Sequence, residues 1–135
     1  MIINIEPLKK AFVSLVKAVD RSSAVPDDLE LRDSCIQRFE YTYELCIKMT
    51  KRYLEQELPL PQEIDRMNYR DLLRVAYENG LVNEVEAWFK YREARNQTSH
   101  AYDEIKAQYV YQTLPSFIVS ADFLLKQLEN RLGSS

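Results

Sequence analysis

Apolar residues recur at helical spacing along most of the chain. The first run begins after Pro7 and stops at the polar stretch 21–23, so it predicts an amphipathic helix that ends near Asp20. A stronger pattern follows, in steps of three and four residues, and predicts a long second helix from Leu29 to Glu57. The residues on its apolar stripe are Ile36, Phe39, Tyr43, Cys46, Thr50 and Tyr53.

The next segment cannot continue that helix, because Pro59 and Pro61 remove backbone donors and clash with a preceding turn. It is expected to cross one end of a helical bundle. A short helix should follow, since Asn68 begins a capping pattern and Gly80 stands where a helix-ending glycine belongs. A fourth apolar pattern then predicts a helix that reaches about Asn96.

The last pattern starts near Tyr102 and keeps one apolar face for about thirty residues. Pro115 lies inside it and should kink this helix, and Gly133 should end it. Together these patterns predict an all-α protein, an antiparallel four-helix up-and-down bundle with a short extra helix. Residues 1–135 should form a single domain.

Composition and charge agree with this prediction and narrow the function. Two glycines and 46% hydrophobic residues favour an ordinary helical globule, and a formal charge of −3 argues against a broad basic surface for nucleic acid. Cys35 and Cys46 would be roughly 16 Å apart along one helix, too far for a disulfide. No secretory signal or long apolar stretch is present, so the chain is expected to be cytoplasmic and not membrane-bound.

The sequence lacks the motifs of several common kinds of active site. There is no glycine-rich phosphate loop, no cysteine and histidine cluster, and only one histidine. We therefore expect this chain to bind no metal and no cofactor of its own. The remaining candidate is the segment RNQTSHAY, residues 95–102, with an acidic pair on the second helix.

The RNQTSHAY segment has two interpretations. In the structural one, Arg95 bonds the last carbonyls of the fourth helix, Thr98 or Ser99 caps the next helix, and His100 is a solvated loop residue. In the functional one, Arg95, His100 and Tyr102 converge on a phosphate. The guanidinium would bind it as a fork and the imidazole would act as general acid or base.

The acidic pair consists of Glu40 and Glu44, one helical turn apart. Glu44 can form a surface pair with Lys48. Glu40 lies close to the apolar stripe, where a partly buried carboxylate needs a cation, and Arg95 is the candidate. A structural role for Glu40 is favoured over a role as general base for an acceptor hydroxyl.

The pattern R-N-x-x-S-H-x-Y resembles the signature of the HEPN superfamily of small helical proteins. One branch also shows segments like IQRFEYTYEL (36–45), an Arg-Asp like Arg32-Asp33, and a helix like LLRVAYENGLV (72–82). That branch is the nucleotidyltransferase substrate-binding protein family, and the resemblance spans roughly residues 8–130.

The resemblance implies a helical bundle, usually a homodimer, that pairs with a separate small nucleotidyltransferase as a heterotetramer. That partner would hold the magnesium and the nucleotide triphosphate, because its G-S and D-x-D motif is absent from this chain. The first expectation is therefore a non-catalytic substrate-binding subunit. Its substrate- or nucleotide-binding residues would be Arg95, Asn96, Ser99, His100, Tyr102, Glu40 and Glu44.

Two alternatives remain open. In the related toxin–antitoxin branch, such a protein is a metal-independent ribonuclease, here with Arg95 and His100 catalytic and Asn96 orienting. Its nucleotidyltransferase antitoxin silences it by transferring AMP to the motif's tyrosine, which is Tyr102. The second alternative hypothesis is a helical interaction domain without an active site, in which RNQTSHAY only joins two helices.

Overall fold

The computed structural model describes residues 3–59 and 61–132, and this part of the chain is helical with no strand. The all-α prediction is confirmed. The elements in chain order are α1 (Glu6–Ala24), α2 (Leu29–Glu57), α3 (Pro61–Arg66), α4 (Tyr69–Glu78), α5 (Val85–Gln97), a 3₁₀ turn (Thr98–His100) and α6 (Glu104–Arg131).

The helices with clear start signals have the predicted bounds. α2 runs from Leu29 to Glu57, and the Asp28 side chain caps it by accepting a hydrogen bond from the Leu31 amide. Asn68 caps α4 in the same way, and Gly80 follows that helix with a φ of 76°. Capping depends on neighbours in sequence, so the sequence alone locates these ends.

Two helical segments differ from the prediction. α1 continues to Ala24, beyond Asp20, because Ser22 is buried and its hydroxyl lies 2.9 Å from the Tyr111 hydroxyl of α6. The proline-rich segment contains α3, which starts at Pro61 and buries Ile64. A proline fits the first turn of a helix because no intrahelical bond needs its missing N–H. The predicted end at Gly133 lies outside the described residues.

The four long helices form the predicted up-and-down bundle, with α3 and α4 as two short additions where one was expected. Contacts between distant segments show that α1 runs opposite to α6, and α2 opposite to α5. These contacts are Ser22–Tyr111 and Lys9–Glu129 for α1 and α6, and Glu40–Thr98 and Glu44–Arg95 for α2 and α5.

Aromatic side chains fill the centre of the bundle. Phe117 of α6 makes edge contacts with Phe39 of α2 and Tyr91 of α5, with ring centroids 4.9 and 5.3 Å apart. Trp88 is buried beside them. This packing holds the first half of α5 against α2 and α6. α6 continues through Pro115. None of the described helices is long and apolar enough to cross a membrane.

Both cysteines are buried and unbridged, as their spacing predicted. Burial raises the pKa of the Cys35 and Cys46 thiols. A thiol in such an apolar setting is a poor nucleophile, so the cysteines belong to the core.

Candidate functional site

The RNQTSHAY segment joins α5 to α6 at one end of the bundle. Arg95 lies in the last turn of α5, and His100 ends the 3₁₀ turn. Asp103 caps α6, accepting hydrogen bonds from the amides of Ile105 and Lys106 at 3.0 and 3.2 Å. The predicted cap by Thr98 or Ser99 is therefore wrong. The 3₁₀ turn delays the start of α6, so its free amides lie next to Asp103 instead.

Arg95 contacts the acidic pair on α2. Its Nε donates to Glu44 Oε1 at 2.5 Å, and its Nη2 lies 4.0 Å from Glu40 Oε2. The predicted approach of Arg95 to Glu40 is thus confirmed, whereas Glu44 pairs with Arg95 and not with Lys48 as predicted. The Arg95 side chain is 36% exposed, so a ligand can still reach part of it. A guanidinium in this position can accept a phosphate as a second partner.

Thr98 connects the turn to both helices. Its hydroxyl lies 2.8 Å from the Arg95 carbonyl oxygen and 3.1 Å from Glu40 Oε2. The single hydroxyl hydrogen serves one of these acceptors at a time. When the hydrogen is donated to Glu40, Thr98 links the 3₁₀ turn to α2.

His100 and Tyr102 are neighbours on the outer side of the turn. His100 Nδ1 is 3.4 Å from the Tyr102 hydroxyl, and the two rings meet edge to face with centroids 6.0 Å apart. Tyr102 is 86% exposed, the most accessible of the large apolar side chains described. Asn96 and Ser99 are also exposed. The segment therefore presents polar groups to solvent, while Arg95 and Thr98 connect it to α2.

A buried arginine supports the turn from behind. Arg32 of α2 donates from Nη1 and Nη2 to the two Glu104 carboxylate oxygens, at 2.7 and 3.0 Å. Arg32 is only 7% exposed. These hydrogen bonds lower the pKa of the Glu104 carboxyl. Because Glu104 is the first residue of α6, the pair fixes where that helix starts and therefore where His100 and Tyr102 lie.

The sequence patterns assign no function to Arg32, although its position on α2 indicates that it is buried and paired. Arg32 precedes Ile36 by four residues, so it lies on the apolar stripe of α2. A charged residue on a buried stripe requires a partner of opposite charge. The sequence could not show which of many carboxylates, 72 positions away in the case of Glu104, would meet it.

A cavity of about 460 Å³ lies beside the turn, between it and the start of α2. Its lining includes the carboxylates of Glu30, Asp33 and Glu40, with Thr98 and Ala101 from the turn. Such a wall would repel a phosphate, and neither Arg95 nor His100 is part of it. Across residues 3–59 and 61–132, no three histidine, cysteine or carboxylate side chains gather in a possible metal site.

Comparisons with known proteins cover this segment and its surroundings. The family model described as "nucleotidyltransferase substrate binding protein like" matches residues 3–130. A Haemophilus influenzae protein described as "probable ribonuclease HepT" is 39% identical over 139 residues, which is 96% of this chain and 94% of that protein.

Solved structures agree with the fold. One from Haemophilus influenzae, described as having the fold of a substrate-binding domain of a nucleotidyltransferase, has a TM-score of 0.87 and 37% identity, covering 93% of this chain and 99% of that one. A crystal structure from Thermus thermophilus has a TM-score of 0.73 and 26% identity, covering 90% and 98%. The α5–α6 connection thus lies within the region shared with these proteins.

Proposed function

This chain belongs to the nucleotidyltransferase substrate-binding protein family, and from that premise we propose that it is a HEPN-type ribonuclease controlled by a separate nucleotidyltransferase. The observation that carries the proposal is the complete Arg95-x4-His100-x-Tyr102 set at one end of the bundle, with Arg95 and His100 half-buried and Tyr102 exposed. The chain that holds this set is 39% identical to a protein described as a probable ribonuclease. That description favours the ribonuclease alternative over the non-catalytic subunit expected first from the sequence.

The chemistry requires few groups. The 2′-hydroxyl of one nucleotide attacks the neighbouring phosphorus, the bond to the 5′-oxygen breaks, and a 2′,3′-cyclic phosphate and a 5′-hydroxyl result. One proton leaves the attacking hydroxyl and another reaches the leaving oxygen. His100 would transfer one of these protons, since imidazole changes protonation most readily near neutral pH. Arg95 would bind the phosphate oxygens and stabilise their charge.

A homodimer would complete this site. Each chain has one histidine, whereas the reaction needs both a base and an acid. The outer face of α6 and the turn before it carry four exposed apolar side chains, a concentration suited to self-association. They are Tyr102 (86% exposed), Ile105 (82%), Tyr109 (40%) and Val119 (70%). Two copies that meet at the start of α6 would bring two His100 side chains towards each other.

Control by the partner fits the exposure of Tyr102. The nucleotidyltransferase would hold magnesium and a nucleoside triphosphate. The Tyr102 phenol oxygen would attack the α-phosphorus, with loss of its proton and release of pyrophosphate. Because the hydroxyl lies 3.4 Å from His100 Nδ1, an attached AMP would crowd the imidazole and add negative charge beside it. Both effects oppose RNA binding.

A second candidate is the non-catalytic subunit that presents a substrate to the nucleotidyltransferase. Its specific support is the pairing of Arg95 with Glu44 and Glu40, which partly neutralises the guanidinium in the free chain. Carboxylates beside an exposed arginine suit a site for an acceptor hydroxyl as well as one for phosphate.

The deciding experiment measures cleavage of end-labelled RNA by the purified chain in the presence of a chelator. We expect cleavage that is abolished by a 2′-deoxy substitution at the cut site. Arg95→Ala and His100→Ala should each reduce the rate by about 10² or more. Arg52→Ala, which removes an exposed arginine elsewhere on α2, serves as the matched control and should leave the rate unchanged.

Two results would contradict the ribonuclease. One is no cleavage of any RNA by the wild-type chain, and the other is equal cleavage by wild type and His100→Ala. If the inactive chain still forms a complex with a nucleotidyltransferase, the second candidate is supported. If the inactive chain forms no such complex, the hypothesis of a helical interaction domain without an active site is supported. Mass spectrometry after incubation with partner, magnesium and ATP should find one AMP on the wild type and none on Tyr102→Phe.

A further inference from the structure

A second cluster of cations lies between α1 and α2, outside the RNQTSHAY segment. It surrounds a cavity of about 170 Å³ that has no carboxylate in its lining. The polar residues of the lining are Ser14, Lys17, Arg21, Ser34 and Arg38, and Ala18 and Leu31 provide its apolar part. The sequence patterns gave this group no role, since its members are dispersed over two helices.

The hydroxyl oxygens of Ser14 and Ser34 both accept hydrogen bonds from Arg38, so neither hydroxyl hydrogen is used in these contacts. Arg38 Nε donates to Ser14 Oγ at 2.9 Å, and its Nη1 donates to Ser34 Oγ at 2.5 Å. The Tyr41 hydroxyl also donates to Ser14 Oγ, at 3.4 Å. An oxygen that accepts from these donors must direct its own hydrogen elsewhere. Each serine in the lining therefore keeps a hydrogen that it can donate to a ligand.

The charges of this cluster are uncompensated. Within the described residues, no carboxylate oxygen lies within 4.0 Å of a charged nitrogen of Lys17, Arg21 or Arg38. Lys17 and Arg21 stand one turn apart on α1, where like charges repel. In a chain with a net charge of −3, three such cations around one cavity attract an anion.

An adjoining cavity indicates which chemical group accompanies the anion in the bound ligand. It measures about 410 Å³, follows α1, and shares Ser14 and Lys17 with the smaller cavity. Val13, which is 48% exposed, supplies an apolar surface there, and Lys9 and Lys10 also line the cavity. A flat ring over Val13 and a charged group among the three cations would occupy both cavities at once.

We propose that this surface binds a nucleotide. The phosphate contacts Lys17, Arg21 and Arg38 and accepts hydrogen bonds from the two serines, while the base lies over Val13. The nucleotide is either a free mononucleotide or one residue of an RNA strand, because both present the same phosphate and base. None of the contacting residues belongs to the Arg95 and His100 site, so this proposal stands independently of the proposed function.

The test is calorimetric titration of the full chain with AMP, adenosine, inorganic phosphate and a short single-stranded RNA that the chain does not cleave because it contains 2′-deoxy sugars. We expect AMP to bind more tightly than adenosine or phosphate alone. Lys17→Gln and Arg21→Gln should each weaken AMP binding by about tenfold, since each removes a charge-assisted hydrogen bond. Both side chains are exposed, so the fold should tolerate the changes.

Arg52→Gln is the matched control and should bind AMP like the wild type. If the RNA binds more tightly than AMP and loses affinity in the Lys17→Gln and Arg21→Gln variants, the natural ligand is a nucleic acid strand. If only AMP binds, the natural ligand is a free nucleotide. The proposal is overturned if wild type binds neither, if adenosine binds as well as AMP, or if Arg52→Gln weakens binding equally. His100→Ala should retain AMP binding, which separates this result from any loss of cleavage.

Discussion

Glu44 sets the direction of the Arg95 guanidinium, because it accepts a hydrogen bond from Nε, while Nη2 lies 4.0 Å from Glu40 Oε2. It also places a negative charge beside the atom that would bind phosphate. The same carboxylate therefore orients the arginine and weakens its attraction for an anion. Its two effects can be separated by a substitution that removes the charge and keeps an acceptor oxygen.

We expect Glu44→Gln to bind RNA about threefold more tightly than the wild type, in line with the small energy of an exposed ion pair. The amide oxygen still accepts from Arg95 Nε, whereas the repulsion of phosphate is gone. Fluorescence anisotropy with labelled, 2′-deoxy-blocked RNA measures the affinity. Glu57→Gln, which removes one negative charge near the other end of α2, controls for net charge. RNA binding to Glu44→Gln that is weaker than to this control would contradict the expectation.

Gly80 shows a different residue-scale constraint, since it has a φ of 76° after α4. A Cβ at this position would also lie 2.7 Å from Arg131 Nη2. We expect Gly80→Ala to lower the free energy of unfolding by about 1–2 kcal/mol, the usual cost of left-handed backbone for a residue with a Cβ. Urea denaturation measures this loss. Gly80→Asn is the matched comparison and should lose less, because asparagine tolerates this conformation better.

At the scale of helices, the Arg32–Glu104 pair joins the first turns of α2 and α6. The bidentate contact fixes the two helices in register, and the turn 98–103 spans from α5 to this anchor. A movement of the α6 start would carry His100 and Tyr102 with it. The pair is therefore a positioning contact for the candidate site.

This contact predicts a defined acid dependence. The pKa of Glu104 lies below its ordinary value of 4.5 because Arg32 donates hydrogen bonds to it. The unfolded chain thus binds this proton more tightly than the folded chain does. The stabilisation is fully present above the unfolded pKa and is lost as the pH falls through the folded pKa. Glu104→Gln should flatten this part of the stability curve.

Urea denaturation between roughly pH 6 and pH 3 would measure the effect as a change in the slope of unfolding free energy against pH. Glu30→Gln, an exposed residue in the first turn of α2, serves as control and should leave the slope unchanged. An equal slope in wild type and Glu104→Gln would show that Arg32 contributes no pH-dependent stability through this carboxyl.

For the molecule as a whole, the proposed activity depends on association between copies. Ile105 is 82% exposed on the first turn of α6 and lines a cavity of about 390 Å³ with Tyr109. A large apolar side chain in such a position gains by being covered. It is close in sequence to His100 and Tyr102, so a dimer through this face would bring two sites together.

We therefore expect Ile105→Arg to be a folded monomer with little RNA cleavage, because the substitution places a like charge on both sides of the interface. Sedimentation velocity measures the size, and circular dichroism checks the helix content. Tyr77→Arg, at another exposed apolar position, should remain dimeric and active. If wild type is a monomer at all concentrations that cleave RNA, the dimeric site is excluded.

The class of fold and the bounds of the best-marked helices follow from local patterns in the sequence. α2 and the start of α4 follow from apolar periodicity and capping by Asp28 and Asn68, which act between residues a few positions apart. The RNQTSHAY segment was also recognisable, because its polar residues are contiguous. These features depend on local interactions, which a linear sequence shows directly.

Contacts between residues that are far apart in sequence become visible only in the folded chain. The partner of Glu44 is 51 positions away, so the predicted local pair with Lys48 is wrong. The 3₁₀ turn, in which Thr98 can donate to Glu40, places the cap of α6 at Asp103 and not at the predicted Thr98 or Ser99. Ser22 is buried, and α1 therefore extends beyond its predicted end near Asp20. The cations around the α1–α2 cavity likewise become a cluster only in the folded chain. Each of these outcomes depends on helix packing, which brings together side chains whose separation in sequence carries no signal of contact.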